Sequence, residues 1–467
     1  MKLFLKSKLV LTVTTLVLIA AGTLTMLPRQ QAAHAASGDW PALLANNGRT
    51  GFNGAETIIN PTTAPNLKLH WTHSTAGRIT AEPIEANGMV YWGSWDGVEH
   101  ASRLSDGTDD WTANLGAMTG SCSHQPHGVV STATVAPVPI NGVTTPVDFV
   151  GGGNNNFYAL NASTGATIWH TLLGSQTGDY IWSSPAVFHN SVYIGESSFG
   201  DCPLVRGKLI QLNVSTGVIQ HTFYTVPKGC LGASVWSSPT IDQANNIVYI
   251  STGNEGTCST SETLSDALVA LRTTDLSLVS AWQVPASEQV FDGDFGTTPT
   301  FFKATIGGIV HKMIGLMNKN GIYYAFDRTT INAGPIWQDR LAAPETNGEN
   351  NVSSSSWDGV TLYAAAASTT INGANCLGSL RALNPASGAF LWQDCFSHDV
   401  PAPVIAVPGL VEVGSGPSFI IVDATTGKQL FSFQDTHPNS NFAGPASISN
   451  GVLYQGNIDG NLYAFGT

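Results

Sequence analysis

This chain has little charge and less base. Only 11% of its 467 residues are Asp, Glu, Lys or Arg; 19 are basic against 32 acidic, for a net charge of −13. So acidic a body is repelled by phosphate backbones and anionic lipid, which argues against nucleic acid and anionic membrane as partners. Its six cysteines form no CxxC and no CxxCH. The first absence weighs against a metal site at Cys122, His124 and His127, and the second excludes covalently attached haem c. No linker, low-complexity tract or helical domain is evident after residue 35. What is abundant is glycine, 49 residues, which fits a turn-rich β protein rather than a helical or disordered one.

Length alone would predict about three domains of about 150 residues each. A repeat overrides that prior. Ala159-Leu-Asn-Ala-Ser-Thr-Gly165-Ala-Thr-Ile-Trp169 returns at the same spacing as Ala382-Leu-Asn-Pro-Ala-Ser-Gly388-Ala-Phe-Leu-Trp392. Residues 422–431 keep the pattern with Phe431 in the Trp slot, residues 212–217 keep its turn, and looser copies run over 101–111, 270–282 and 325–337. Each copy reads as a β-hairpin: an apolar strand, a polar turn whose Gly supplies φ > 0, and a second strand ending in an aromatic. The aromatic is glue between neighbouring sheets. A further pair of strand-like runs precedes each hairpin, such as 185–188 with 191–195, giving four strands per unit, the composition of a propeller blade. Motif starts at Ala101, Ala159, Gln211, Ala270, Ala325, Ala382, Ile421 and Ala464 count eight units. The last lacks its final strand, and Leu67-Lys-Leu-His-Trp71 supplies one without a partner. The expectation is an all-β, eight-bladed propeller of four-stranded antiparallel blades over 36–467, closed by pairing the two chain ends, which removes exposed edges.

Lys2, Lys6 and Lys8 precede an apolar run over 9–27, and Ala33-His-Ala35 offers small residues for cleavage. Residues 1–35 therefore read as a signal peptide cut after Ala35, and the protein as secreted or extracytoplasmic. The rival is an uncleaved membrane anchor through 9–27. In an exported chain the cysteines read as disulfides. Cys202 and Cys230 lie symmetrically about the turn Thr216-Gly217, and Cys376 and Cys395 flank the hairpin carrying Gly388. Cys122 and Cys258 remain as the third pair.

The repeats resemble those of the pyrroloquinoline quinone (PQQ) alcohol dehydrogenases, including the methanol and polyvinyl alcohol dehydrogenases, over almost all of 36–467. The same repeat also builds non-catalytic scaffolds, so it implies fold more than activity. Within it, the segment from Trp236-Ser-Ser-Pro to Thr252-Gly-Asn254 looks like the family stretch whose Trp is the floor under the quinone and whose Asn binds calcium. Read singly, Trp236 is a packing aromatic and Asn254 a turn residue. Gly200-Asp201-Cys-Pro-Leu-Val-Arg206-Gly207 resembles the motif carrying the other calcium carboxylate, with Asp201 in that role or else capping a turn. Phe291-Asp-Gly-Asp294-Phe is similar to the motif whose last Asp is the catalytic base, with Asp292 as local competitor. Asn318-Lys319-Asn320-Gly321 matches the segment whose basic residue bonds the quinone oxygens; Arg328, further along it, is expected to bond within its own blade. Ser184 resembles a position that bonds the cofactor edge, although Ser-Pro turns recur in several blades.

What the resemblance implies is a PQQ- and calcium-dependent dehydrogenase of an alcohol or polyol. Asp294 would be the base, Lys319 the support for the reduced cofactor, and an external acceptor the electron sink. One departure stands out: the family's adjacent cysteines over the quinone are represented by Cys122 alone, where His124 or His127 could stack instead. Arg78, Arg103 and Lys319 are the candidate cations for an acidic cofactor. The other reading is a non-catalytic extracellular propeller; a glycoside-hydrolysing one is disfavoured because Asp292 and Asp294 are separated by a single residue.

Overall fold

A computed structural model describes residues 38–120, 125–258, 262–344 and 351–467. The expectations for the signal peptide or anchor, for Cys122 and for His124 fall outside these residues. Among the described residues no helix is long and apolar enough to cross a membrane.

The strands form eight antiparallel four-stranded blades. Blade 1 runs Ile84–Ala86, Met89–Gly93, Val98–Arg103 and Asp109–Asn114, and the next six repeat this order outward from the axis. Blade 3 gains the short strand Asp179–Tyr180, and blade 6 a side hairpin, Thr369–Ile371 with Ala374–Cys376. Blade 8 takes three strands from the C-terminus and its outermost, Lys68–Ser74, from the N-terminus, with Trp71 opposite Ala464. This is the ring closure expected from the sequence.

The repeat explains itself in the packing. Within a blade the motif Ala faces the motif Trp across the ladder, as Ala159 faces Trp169 and Ala382 faces Trp392. The ring then leans over the turn Gly of the following blade: a Cβ added to Gly165 would lie 2.6 Å from Trp111, and one on Gly217 2.4 Å from Trp169. In five blades the indole N–H donates to a carbonyl of that next turn, from Trp71 to Leu104, Trp111 to Ala162, Trp169 to Val214, Trp337 to Pro385 and Trp392 to Ala424, at 2.8–3.0 Å. The Gly is thus needed twice, for its positive φ and for the flat space above it. Blade 3 has His221 opposite Gln211 instead of a Trp. There Tyr193 Oη and Gln211 Nε2 both donate to the Thr273 carbonyl of blade 4, at 2.7 and 3.0 Å.

Innermost strands have one free edge, and their backbone groups need partners. The segment from Trp40 to Asn53 supplies them by visiting every blade in order. Trp40 N–H donates to Glu85, and Pro41, Asn47, Gly48, Thr50 and Gly51 carbonyls accept from Val135, Ile241, Phe301, Trp357 and Ala406. The side chains of Asn47 and Asn53 donate to Val187 of blade 3 and Ile448 of blade 8. Arg49, fully buried, donates to the carbonyls of Leu43, Pro185 and Pro239 at 2.7–3.0 Å. Three residues earlier in each blade, just before the inner strand begins, a chain of hydrogen bonds links blades 1 to 6. The N–H groups of Glu82, Thr132, Ser184, Ser238 and Thr298 donate in turn to the hydroxyls of Thr132, Ser184, Ser238, Thr298 and Ser354.

Two disulfide expectations are corrected. Cys230 pairs with Cys258, so neither Cys202–Cys230 nor Cys122–Cys258 forms. The ladder that made Cys202 and Cys230 symmetric ends at Lys208 opposite Tyr224. Beyond it Arg206 meets Gly232 in a parallel bridge, and Leu231 exchanges hydrogen bonds with Thr257, which turns Cys230 toward blade 4. Cys376 and Cys395 do pair. Cys202 is disulfide-bonded as well.

Candidate active site at the inner ends of blades 3 to 5

In an antiparallel blade, the loop entering the first strand and the loop leaving the second lie at the same end. Trp236 and Asp294 sit on entering loops of blades 4 and 5, while Asp201, Asn254 and Lys319 sit on leaving loops of blades 3, 4 and 5. The topology therefore gathers residues up to 118 positions apart, from Asp201 to Lys319.

At the centre is Asp294, 5% exposed. Its Oδ1 lies 2.8 Å from Lys319 Nζ, and its Oδ2 accepts the Trp236 indole N–H at 2.9 Å. Lys319 Nζ also reaches Asp292 Oδ2 at 3.2 Å and stands 5.5 Å from the centre of the Trp236 ring. Asn254 Nδ2 is 3.5 Å from Asp292 Oδ1. The indole has room because residue 296 is glycine: a Cβ there would lie 2.3 Å from Trp236 Cη2.

The electrostatics are lopsided. Burial pushes the Asp294 carboxyl up to about 6, although Lys319 pulls the other way. Asp266, at the start of a blade 4 strand, is pushed to about 8, by burial first and then by Asp294, Glu255 and Asp292. Asp201 stands at the mouth; lost hydration and then the Asp292 charge raise its carboxyl. Burial lowers the Lys319 ammonium, but Asp294 and Asp292 outweigh it and hold the group above its ordinary value. Among the described residues, Asp201, Asp266, Asp292 and Asp294 thus act on one ammonium, and Glu255 acts on Asp266. A set of carboxylate and amide oxygens with surplus negative charge is the donor chemistry that a hard divalent cation takes.

Sequence reasoning missed Asp266 and Glu255. Glu255 directly follows the singled-out Asn254, whereas Asp266 is hidden at the edge of an apolar strand run. Five other expected residues make contacts of their own. Ser184 belongs to the interblade chain, its hydroxyl accepting from Thr132 and its N–H donating to Ser238. Arg103 is an exposed partner of Asp110 at 2.6 Å. Arg328 leaves its blade to reach Asp242 of blade 4 at 3.5 Å and stacks on Phe301 at 3.9 Å. His127 is 8% exposed within an aromatic cluster, 3.9 Å from Trp95 and edge-on to Phe199 at 4.7 Å. Burial lowers its pKa. Arg78 lies 5.0 Å from the centre of the Trp95 ring.

Residues 40–354 match the family model described as the beta-propeller domain of the glucose, ethanol and alcohol dehydrogenases, designated PQQ. The chain belongs to this family. It is 24% identical over 420 residues to a polyvinylalcohol dehydrogenase of a Pseudomonas species, covering 79% of this chain but 63% of that protein. The propeller therefore spans less than two thirds of that curated relative. By structure it superposes on a quinohemoprotein alcohol dehydrogenase from Comamonas testosteroni with a TM-score of 0.75 and 19% identity, covering 93% of this chain and 81% of the other. It is also 25% identical over 136 residues, 27% of this chain and 33% of the other, to the outer membrane protein assembly factor BamB of Salmonella typhimurium.

Proposed function

We propose that this PQQ-family propeller is a dehydrogenase oxidising an alcohol or polyol, with PQQ and calcium as cofactors and an external electron acceptor. The observation that carries the reading is the bracketing of Asp294 by Lys319 Nζ and Trp236 Nε1. Asp201 and Asn254 would hold calcium, with Asp292 within reach of the same ion. Trp236 offers the flat face on which a planar tricyclic acid would lie, and the ammonium of Lys319 is set near that face. When bound, the quinone supplies the hydride acceptor and calcium the Lewis acid that polarises it. Asp294 takes the hydroxyl proton, a role suited to a carboxylate held in fixed orientation by two donors. Lys319 stabilises negative charge where the reduced cofactor would form.

Disulfides such as Cys230–Cys258 and Cys376–Cys395 support an oxidising, extracytoplasmic location, with residues 1–35 as a cleaved leader and 36–467 as the mature propeller. A scaffold reading is favoured by the similarity to BamB and by the lack of an adjacent cysteine pair. Reconstitution separates the two. Purified protein with calcium and PQQ should reduce an artificial dye in the presence of primary or secondary alcohols, polyols or polyvinyl alcohol, and only with both cofactors. No turnover, together with no change in quinone absorbance on mixing, would overturn the enzyme reading in favour of the scaffold.

A further inference from the structure

A second cluster lies far from the axis, at the seam where the ring closes. His73 is on the N-terminal strand Lys68–Ser74 that completes blade 8, and His100 and Asp109 are on the two outer strands of blade 1. Asp109 Oδ2 is 3.0 Å from His100 Nδ1 and 3.6 Å from His73 Nε2. One donor atom from each of the three side chains falls within 4.8 Å of the others.

The protonation pattern makes this more than a hydrogen-bond network. His73 Nδ1 is 2.7 Å from the Gly107 carbonyl, which can only accept, so Nδ1 carries a proton. In the neutral ring, Nε2 then turns a bare lone pair toward a carboxylate oxygen. That contact is repulsive unless a second proton or a cation lies between them. Zinc-to-nitrogen and zinc-to-oxygen bonds of about 2.0–2.2 Å set neighbouring ligands of a tetrahedral ion roughly 3.3–3.6 Å apart. The two observed separations bracket that range from 3.0 to 3.6 Å.

The ligands are also held in place beforehand, as metal ligands are by their surroundings. The Ser102 hydroxyl donates to Asp109 Oδ1 at 2.7 Å and accepts the Trp92 indole N–H at 2.9 Å. The Trp92 ring stacks on His100 at 3.8 Å and 5°. Among the described residues His100 Nε2 has no hydrogen-bond partner, and Nδ1 is the nitrogen that faces Asp109. His73 and Asp109 are each 22% exposed along the side chain, which leaves a path for an ion and a solvent ligand. We propose that His73 Nε2, His100 Nδ1 and Asp109 Oδ2 bind a zinc-class transition-metal ion that fastens the ring-closing strand to blade 1.

The test uses tag-free full-length protein with excess calcium present to occupy the axial carboxylates. Cobalt(II) alone should give the intense visible bands of a four-coordinate ion at one equivalent, and zinc should abolish them. In competition with a chromophoric chelator, His73→Gln and His100→Ala should each weaken zinc binding by about 100-fold, the upper end seen when a metal's surroundings are disturbed. Zinc should also raise the melting temperature of the wild type but not of His73→Gln, since an ion bound only by the folded state stabilises it. Absence of a stoichiometric cobalt spectrum in the wild type, which needs no variant to fold, would overturn the proposal. So would zinc affinity unchanged in both variants.

Discussion

Arg49 and Lys319 are both buried cations in the inner part of the ring, separated by the Ser and Thr chain that links blades 1 to 6, yet their surroundings differ in kind. Arg49 meets three carbonyls and lies near Glu82, whose Oε2 accepts the Leu44 N–H. Each guanidinium nitrogen has a carbonyl partner, and the positive charge faces one acid. Lys319 touches two carboxylates and feels a third in Asp201, while Asp266 and Glu255 add to the negative field. The first shell is complete and ties blades together. The second has oxygen donors left over, on loops rather than strands, which is what binding and catalysis require.

The two shells should fail differently. Asp294→Asn removes the proposed base, so turnover of the reconstituted enzyme should fall by about 10²–10⁴-fold. Its melting temperature should fall less than that of Arg49→Met, because the amide oxygen still accepts from Trp236 and Lys319 keeps Asp292 as a carboxylate partner. Arg49→Met should do the reverse. It leaves three carbonyls without a donor and Glu82 without its cation, a loss of about 3–5 kcal/mol in urea unfolding. Turnover per folded molecule should hold. If Arg49→Met unfolds no more readily than wild type, a completed shell is not what holds the inner strands, and the contrast with Lys319 collapses.

Much of the ring was legible because its information is local and periodic. Recurring hairpin motifs starting from Ala101 to Ala464 gave eight blades, and Trp71 with Ala464 gave the closure. Residues 40–53 were not legible: their partners are backbone groups of all eight inner strands, so no side-chain pattern or period marks them. Nor does the sequence distinguish Arg49 from any other arginine. Cys230 was misassigned by extending a ladder past its end, and Arg328 by assuming that a motif residue bonds within its own blade. Trp236, Asn254, Asp292, Asp294 and Lys319 come together because the blade topology brings their loops to one end. Asp266 and Glu255 lie on the same blade 4 loop as Asn254, between Ser251 and Ala267, but no motif marks them.

Gly296 sharpens the contrast with a smaller change. On the docking turns, glycine makes room for a structural Trp; at 296 it makes room for Trp236 beside the proposed base. Gly296→Ala would set a methyl against Cη2 and tilt the indole. Overpacking of this kind costs about 1–3 kcal/mol, and about 1.4 kcal/mol of it appearing in PQQ binding is a tenfold rise in dissociation constant. The measurement is a quinone titration followed by tryptophan fluorescence, with the melting temperature as control. Unchanged affinity would mean that Trp236 is a packing aromatic, as its blade position alone implies.

A third kind of buried ion gives the subtlest test. Glu99 of blade 1 and Asp148 of blade 2 are wholly buried near each other, and none of their four carboxyl oxygens has a hydrogen-bond partner among the described residues. No cation answers them, so burial raises both, Asp148 to about 8. Their shell is completed by protons. A carboxyl raised in the folded state keeps its proton after the unfolded chain, with a value of about 4, has lost its own. Its contribution to stability is therefore full below about pH 4 and declines as pH rises to about 8, where the folded group also ionises. The double variant Glu99→Gln, Asp148→Asn keeps the shapes and cannot titrate. Its melting temperature should fall less than that of the wild type between pH 5 and 8, by a difference of about 1 °C for each kcal/mol removed. Parallel curves for the two proteins would show that the pair is answered by a bound cation or water after all, and would place it with Lys319 rather than with Arg49.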